Sequence, residues 1–155
     1  MSGRVASRLK ALGIALPPPF PPGGSYVGAV VTGNLVYVAG QGPIVDGKPA
    51  YVGKLGRDLT VEMGQKAARQ TALQILAEVE RAVPGGLDRV TRVVKLFGLV
   101  NCTADFIQQP QVINGASDVM AEIFGEAGKH ARVAVGAETL PFGISVEIDG
   151  IFEIE

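Results

Sequence analysis

The sequence predicts an α+β fold in which two long helices cover one face of a mixed β-sheet. Two segments, 60–83 and 110–124, carry apolar residues with helical spacing, and apolar runs of strand character lie before, between and after them. The order of these segments, ββ(β)αβαββ, alternates too irregularly for a doubly wound sheet. A length of 155 residues fits one domain with a substantial core.

The N-terminal residues 1–22 are predicted to form a short helix and a Pro-rich arm. Ser2 can cap the helix, whose apolar residues recur on one face. The prolines of segment 16–24 then exclude regular structure. We expect this arm to dock on the body formed by residues 23–155 rather than to serve as a peptide-recognition motif.

The body opens with two predicted strands, 26–32 and 35–41, which are rich in Val and Tyr. Gly33-Asn34 between them is a signal for a two-residue hairpin turn. Both faces of these strands are apolar, so we expect both faces to be covered. Asp46-Gly47 predicts a second turn, which leads to a short strand near 49–52.

Two long helices with a strand between them are predicted next. Thr60 can cap the first helix, which ends before the helix-breaking Pro84-Gly85-Gly86. A long apolar strand follows over 90–101. The second helix is predicted over 110–124, where the proline is tolerated because it lies in the first turn.

Two strands, 131–140 and 144–154, complete the chain, and Pro141-Phe142-Gly143 predicts a turn between them. If these strands pair as a hairpin, Arg132 lies about 13–17 Å from Glu147, at about 3.3 Å per residue. Within one hairpin the two side chains should not touch. A shared site would need a different strand pairing, long side chains around a cleft, or a second subunit.

Arg132 and Glu147 are the side chains of most chemical interest. Ala134 and Gly136 follow Arg132 on the same face of the strand, which leaves room for a ligand, and a guanidinium matches a carboxylate bidentately. On these residues alone, an arginine in a surface ion pair is the slightly favoured interpretation. For Glu147, the ordinary interpretation is a solvated glutamate, since Asp149 lies on the same polar face.

Composition excludes several classes of site. One cysteine and one histidine cannot supply a zinc site of the usual kind, and no metal is expected. No phosphate-binding loop with lysine, no dinucleotide fingerprint and no Gly-x-Ser-x-Gly elbow is present, so nucleotide cofactors and serine hydrolase chemistry have no support. His130 stands at a loop-strand junction, where we expect it to bond the backbone. Cys102 is expected to be an inert buried thiol.

The charge pattern argues against nucleic acid or a membrane surface as the partner. There are 14 Lys and Arg against 15 Asp and Glu, with a net charge of −1 and no basic run. No apolar window reaches the length of a membrane span, and the first 20 residues lack the apolar core of a signal peptide. We therefore expect a cytoplasmic protein whose surplus of apolar residues is buried between subunits.

Several motifs in the same order resemble those of the RidA (YjgF) family. They are Gly24-Ser-Tyr-Val-Gly-Ala29, Gly33-Asn-Leu-Val-Tyr-Val-Ala-Gly-Gln-Gly-Pro43, Ala121-Glu-Ile-Phe-Gly125, Ala131-Arg132, Leu140-Pro141 and Val146-Glu-Ile-Asp149. The similarity covers about residues 20–155. The C-terminal pattern resembles the longer branch of the family, which carries endoribonuclease and chorismate mutase-like names.

The resemblance implies a chorismate mutase-like subunit, a homotrimer with clefts between subunits, and no cofactor. For archetypal members it implies hydrolysis of reactive enamines and imines, such as 2-aminoacrylate, to a 2-keto acid and ammonia. Arg132 would then hold the carboxylate of a small metabolite, and Glu147 would position or activate water. The residues implied to line the substrate site are Tyr26, Ala39, Gly40, Ser117 and Ala134.

Three positions depart from the archetype. Ala39 stands where a serine is usual, Ala134 where a cysteine or threonine is common, and Ser117 where the second helix carries an asparagine. These changes remove polar groups, so a bulkier or more apolar acid is an alternative to 2-aminoacrylate. A trimer that binds small carboxylates without catalysis is a second hypothesis, and RNA cleavage is a weaker third because a basic stripe is missing. Chorismate rearrangement rests on analogy of fold alone.

Overall fold

The computed structural model describes residues 3–155. The α-helices are α1 (Arg4–Ala11), α2 (Val61–Ala82) and α3 (Gln109–Phe124). The strands are β1 (Ala29–Thr32), β2 (Leu35–Gln41), β3 (Ile44–Val45), β4 (Lys48–Pro49), β5 (Val90–Asn101), β6 (Ala131–Ala137) and β7 (Val146–Ile154). Short 3₁₀ helices occupy Gly86–Arg89, Gly125–Gly128 and Pro141–Gly143. None of the helices within residues 3–155 has the length and apolarity needed to cross a membrane.

Five strands form the main sheet in the order β1-β2-β7-β5-β6. Neighbouring strands are antiparallel except β5 and β6, which are parallel. β3 and β4 form a separate small hairpin. The mixed sheet with two long helices packed against it confirms the predicted α+β class.

Local signals place the helix boundaries. The Thr60 hydroxyl accepts a hydrogen bond from the amide of Met63 at 3.2 Å, so the predicted cap is confirmed. α3 begins one residue before the predicted start and carries Pro110 in its first turn. The predicted cap at Ser2 lies outside the described residues, and Gly3 occupies the N-cap position of α1.

α2 is the central element of the subunit. Every residue from 71 to 79 is buried, because the sheet, α3 and the Pro-rich arm together surround the helix. Gly115 of α3 lies against α2 so closely that an added Cβ would be 2.0 Å from the carbonyl oxygen of Gln65. Arg69 and Glu122 form an ion pair across the same two helices at 3.2 Å.

The sheet face away from the helices is apolar and uncovered in the single subunit. Val30 of β1 and Tyr37 of β2 pair on this face and are 51% and 46% exposed. Val135 of β6 is also exposed. We predicted that both faces of the sheet would be covered. In the single subunit, α2 and α3 cover one face, and the other face is exposed.

The predicted hairpin between the last two strands is wrong. β5 lies between β6 and β7, pairing with the former in parallel and with the latter in antiparallel register. The turn at Pro141–Gly143 is present, but it carries the chain past β5 rather than back along β6. The predicted separation of Arg132 and Glu147 therefore does not apply.

Candidate functional site

Glu147 projects from the uncovered face of the sheet. Glu147 pairs in register with Leu99 of β5. The residue before Leu99 is Gly98, and a Cβ added to Gly98 would contact the side chain of Ile113 on α3. Gly98 thus faces the helices, and because strand residues alternate, Leu99 and Glu147 face the opposite way.

The Glu147 carboxylate is free to act on a ligand. It is half-buried and has no hydrogen bond or ion pair to any residue in 3–155. Its Oε2 lies over Gly40, where an added Cβ would be 3.0 Å away. Burial, and secondarily the charge of Asp149, raise the pKa of this carboxyl. A carboxylate with a raised pKa is a stronger base, as general acid-base chemistry requires.

A cavity of about 320 Å³ lies beside this carboxylate. Two of the predicted site residues, Tyr26 and Gly40, line it together with Glu147. Ala39 is not among its lining residues, although the next two residues, Gly40 and Gln41, are.

Arg132 lies on the other side of the sheet. It pairs with Leu96 in register and reaches α3, where Nη1 donates to Asn114 Oδ1 at 2.7 Å and to Ser117 Oγ at 3.1 Å. Nη2 donates to the carbonyl of Pro110 at 3.3 Å. All three acceptors are neutral, and no ion pair within residues 3–155 includes Arg132. The guanidinium is therefore oriented while its positive charge is left uncompensated.

His130 supports this arrangement through Ser117. Its Nδ1 lies 2.7 Å from the carbonyl of Gly128, which can only accept, so Nδ1 carries the proton. The Ser117 hydroxyl then donates to Nε2 at 2.9 Å and accepts from Arg132. Burial, together with the charge of Arg132, lowers the pKa of His130, which keeps the ring neutral for this role. The expected backbone bond of His130 is confirmed.

The structure thus divides the predicted residues between two cavities. Glu147, Tyr26 and Gly40 share one, and Arg132 and Ser117 share a second, lined also by Asn114 and His130. Ala134 lines neither cavity. The two charged groups project from opposite sheet faces and are offset by three residues along β5, about 10 Å. One subunit cannot bring them to one ligand.

Three contributors were missed by sequence reasoning. Asn114 lies one helical turn before Ser117, so the spacing on α3 could have revealed it. Phe20 and Phe142 line the Glu147 cavity, but both come from irregular segments whose packing no periodicity predicts. Within residues 3–155, no group of three or more His, Cys, Asp or Glu side chains is placed to hold a metal ion.

The sequence of this chain matches a known protein family. Residues 6–148 match the family model described as "YjgF/chorismate_mutase-like, putative endoribonuclease". Protein TCP17 of Trypanosoma cruzi is 48% identical over 154 residues, which cover 99% of this chain and 96% of the relative.

Two solved structures show the same fold over nearly the whole chain. Atu1372 from Agrobacterium tumefaciens, described as of unknown function, is 47% identical with a TM-score of 0.91, covering 98% of this chain and 93% of that one. A Shewanella oneidensis protein, also described as an endoribonuclease, is 34% identical with a TM-score of 0.93, and the match covers 97% of this chain and 99% of that one. These matches confirm the resemblance read from the sequence motifs, and the chain belongs to the YjgF/chorismate mutase-like family.

Proposed function

We propose that this protein hydrolyses reactive α-imino acids and their enamine tautomers to 2-keto acids and ammonia, in the cytoplasm, at sites formed between the subunits of a homotrimer. One observation carries the proposal. A half-buried arginine, Arg132, is held only by neutral acceptors, and a half-buried glutamate, Glu147, has no protein partner within residues 3–155 and stands beside a cavity. A ligand with a carboxylate at one end and an electrophilic carbon near it would satisfy both groups.

Assembly is what would bring the two groups together. They lie on opposite faces of one sheet, so the Arg132 of one subunit must approach the Glu147 cavity of the next. The uncovered face with Val30, Tyr37 and Val135 gives a reason for subunits to associate, because burying it removes apolar surface from water. A closed ring of three would repeat the same contact and form three equivalent sites.

The proposed reaction needs only these groups and water. An enamine first takes a proton on carbon and loses one from nitrogen to give the imine R–C(=NH)–COO⁻, whose carboxylate binds Arg132 through charge-assisted hydrogen bonds. Water adds to the imine carbon while Glu147 accepts its proton and passes it to nitrogen, which gives the carbinolamine. The hydroxyl proton then travels by the same carboxylate to nitrogen, the C–N bond breaks, and R–CO–COO⁻ and NH₃ are released. Glu147 ends as the carboxylate, ready for another cycle.

The test is acceleration of imine hydrolysis. Imines are generated in the cuvette by an amino acid oxidase, or 2-aminoacrylate by a dehydratase, and their loss is followed with and without the protein. We expect Arg132→Ala to lower kcat/KM about 100-fold or more, as loss of charge-assisted hydrogen bonds of about 1.5–3 kcal/mol each predicts. Glu147→Gln should lower kcat to a similar extent.

Matched variants control for general damage. Arg89→Ala and Glu62→Gln change exposed side chains outside both cavities and should leave the rates unchanged. No acceleration by the wild type, or full activity of Arg132→Ala, would overturn the proposal. Carboxylate binding without turnover would instead favour a trimer that binds small carboxylates without catalysis. RNA cleavage that survives repurification and is lost in Glu147→Gln would favour the third hypothesis.

A further inference from the structure

The Pro-rich arm forms one wall of the Glu147 cavity. Phe20, Pro21 and Pro22 line this cavity, and the Phe20 ring is half-buried although its segment has no regular structure. Neither carboxylate capture nor water activation uses this wall. It needs a separate explanation.

The wall is held in place on both sides. Upstream, Val5 of α1 is buried, and its amide donates to Asp88 Oδ1 at 2.7 Å. Downstream, the amide of Gly23 donates to the Tyr26 hydroxyl at 3.1 Å. The prolines between these anchors have fixed φ angles, so the wall exists before a ligand arrives and little ordering entropy is lost on binding.

Another apolar residue of the cavity lining has a strained backbone. Phe142 has φ 60 and ψ 13, a left-handed conformation that a bulky residue rarely adopts. Its side chain remains 73% exposed and lines the same cavity as the arm. Strain of this kind is concentrated at functional sites, where the rest of the fold maintains it.

The cavity suits an apolar group. Glu147 is its only charged lining residue among those described, and the Gln41 amide nitrogen is already engaged with the carbonyl of Ala39 at 3.2 Å. The volume of about 320 Å³ is that of a small-molecule site. The three-carbon 2-aminoacrylate would leave most of the apolar wall without contact, whereas a branched or aromatic side chain would bury it.

We infer that the arm is a specificity element, and that the preferred substrates are α-imino acids with branched or aromatic apolar side chains. This inference rests on the proposed function. Phe20 and Phe142 would contact the side chain, while the carboxylate and imine remain with Arg132 and Glu147.

The test compares substrates in one set of variants. The wild type should have a higher kcat/KM for the imines derived from leucine and phenylalanine than for 2-aminoacrylate. Phe20→Ala should reduce kcat/KM for the aromatic imine roughly tenfold or more, with 2-aminoacrylate changed less than about twofold. Phe20→Leu should recover part of the loss. Arg89→Ala, an exposed side chain outside both this cavity and the arm, should change neither substrate.

A second readout separates this inference from the proposed function. Binding of phenylpyruvate and pyruvate is measured by calorimetry on the same variants, and circular dichroism verifies that each is folded. If no imine is hydrolysed but phenylpyruvate binds more tightly than pyruvate and Phe20→Ala removes the difference, the proposed function fails and the specificity inference stands. A wild type that prefers 2-aminoacrylate, or equal losses for both substrates in Phe20→Ala and Phe20→Leu, would overturn the inference alone.

Discussion

Mixing two inactive variants should restore activity if the site is shared between subunits. Arg132→Ala keeps its Glu147, and Glu147→Ala keeps its Arg132. Because the two side chains leave opposite faces of one sheet, each site in a closed ring takes Arg132 from one subunit and Glu147 from the next. In a random equal mixture each partner is intact half of the time, so about one quarter of the sites are wild type. Among mixed trimers alone the expected fraction is about one third, because a ring of either 2:1 composition contains one wild-type site.

The assay uses co-expressed subunits that carry two different tags. Mixed oligomers are purified through both tags, corrected for their composition, and assayed for imine hydrolysis against each parent. Pairing Arg132→Ala with the double variant Arg132→Ala/Glu147→Ala is the control, since no ring of these subunits contains an intact arginine. Activity of the mixture at the level of the parents would refute a site built from two subunits.

Three further predictions concern stability. Gly115→Ala should lower the free energy of unfolding by about 1–3 kcal/mol in urea titrations, because the new methyl group overlaps the Gln65 carbonyl; unchanged stability would show that the helices can separate at no cost. Folding raises the pKa of Glu147, so the charge of this carboxylate opposes folding at neutral pH. Glu147→Gln should therefore raise Tm at pH 7 but leave Tm unchanged below pH 4.5, the ordinary pKa of glutamate. A gain in Tm that is independent of pH would contradict this cause. Folding lowers the pKa of His130, so the free energy of unfolding of the wild type should fall as the pH drops through 6.5. The fall should be steeper than in His130→Gln. Parallel plots of stability against pH for the two proteins would exclude His130 as its source.

The sequence was most informative where structure depends on neighbours along the chain. The Thr60 cap and the Gly33-Asn34 turn are local devices, and α2 and the first hairpin appear where these devices indicate. Strand partners are not local. Pro141-Phe142-Gly143 has the composition of a hairpin turn, yet the following strand inserts between β2 and β5, where both of its neighbours are antiparallel and its apolar side is buried.

The candidate site residues were proposed from the sequence, but their arrangement in the fold was not predicted. Alternation along a strand correctly placed Arg132 on one face with Ala134 and Gly136, and the resemblance to a family supplied the pairing with Glu147. Which faces these two residues occupy relative to each other depends on the register of both strands on β5. No pattern within either strand encodes that register.

The burial of α2 on all sides also determines how this protein unfolds. A helix with one side in water can lose a turn while the rest of the fold persists, but residues 71–79 have no such side. Their amide hydrogens can exchange with solvent only when the sheet, α3 and the arm are all displaced, which amounts to global unfolding. The slowest-exchanging amides should therefore report the stability of the whole subunit. The arm that lines the cavity also helps to shield the central helix from solvent.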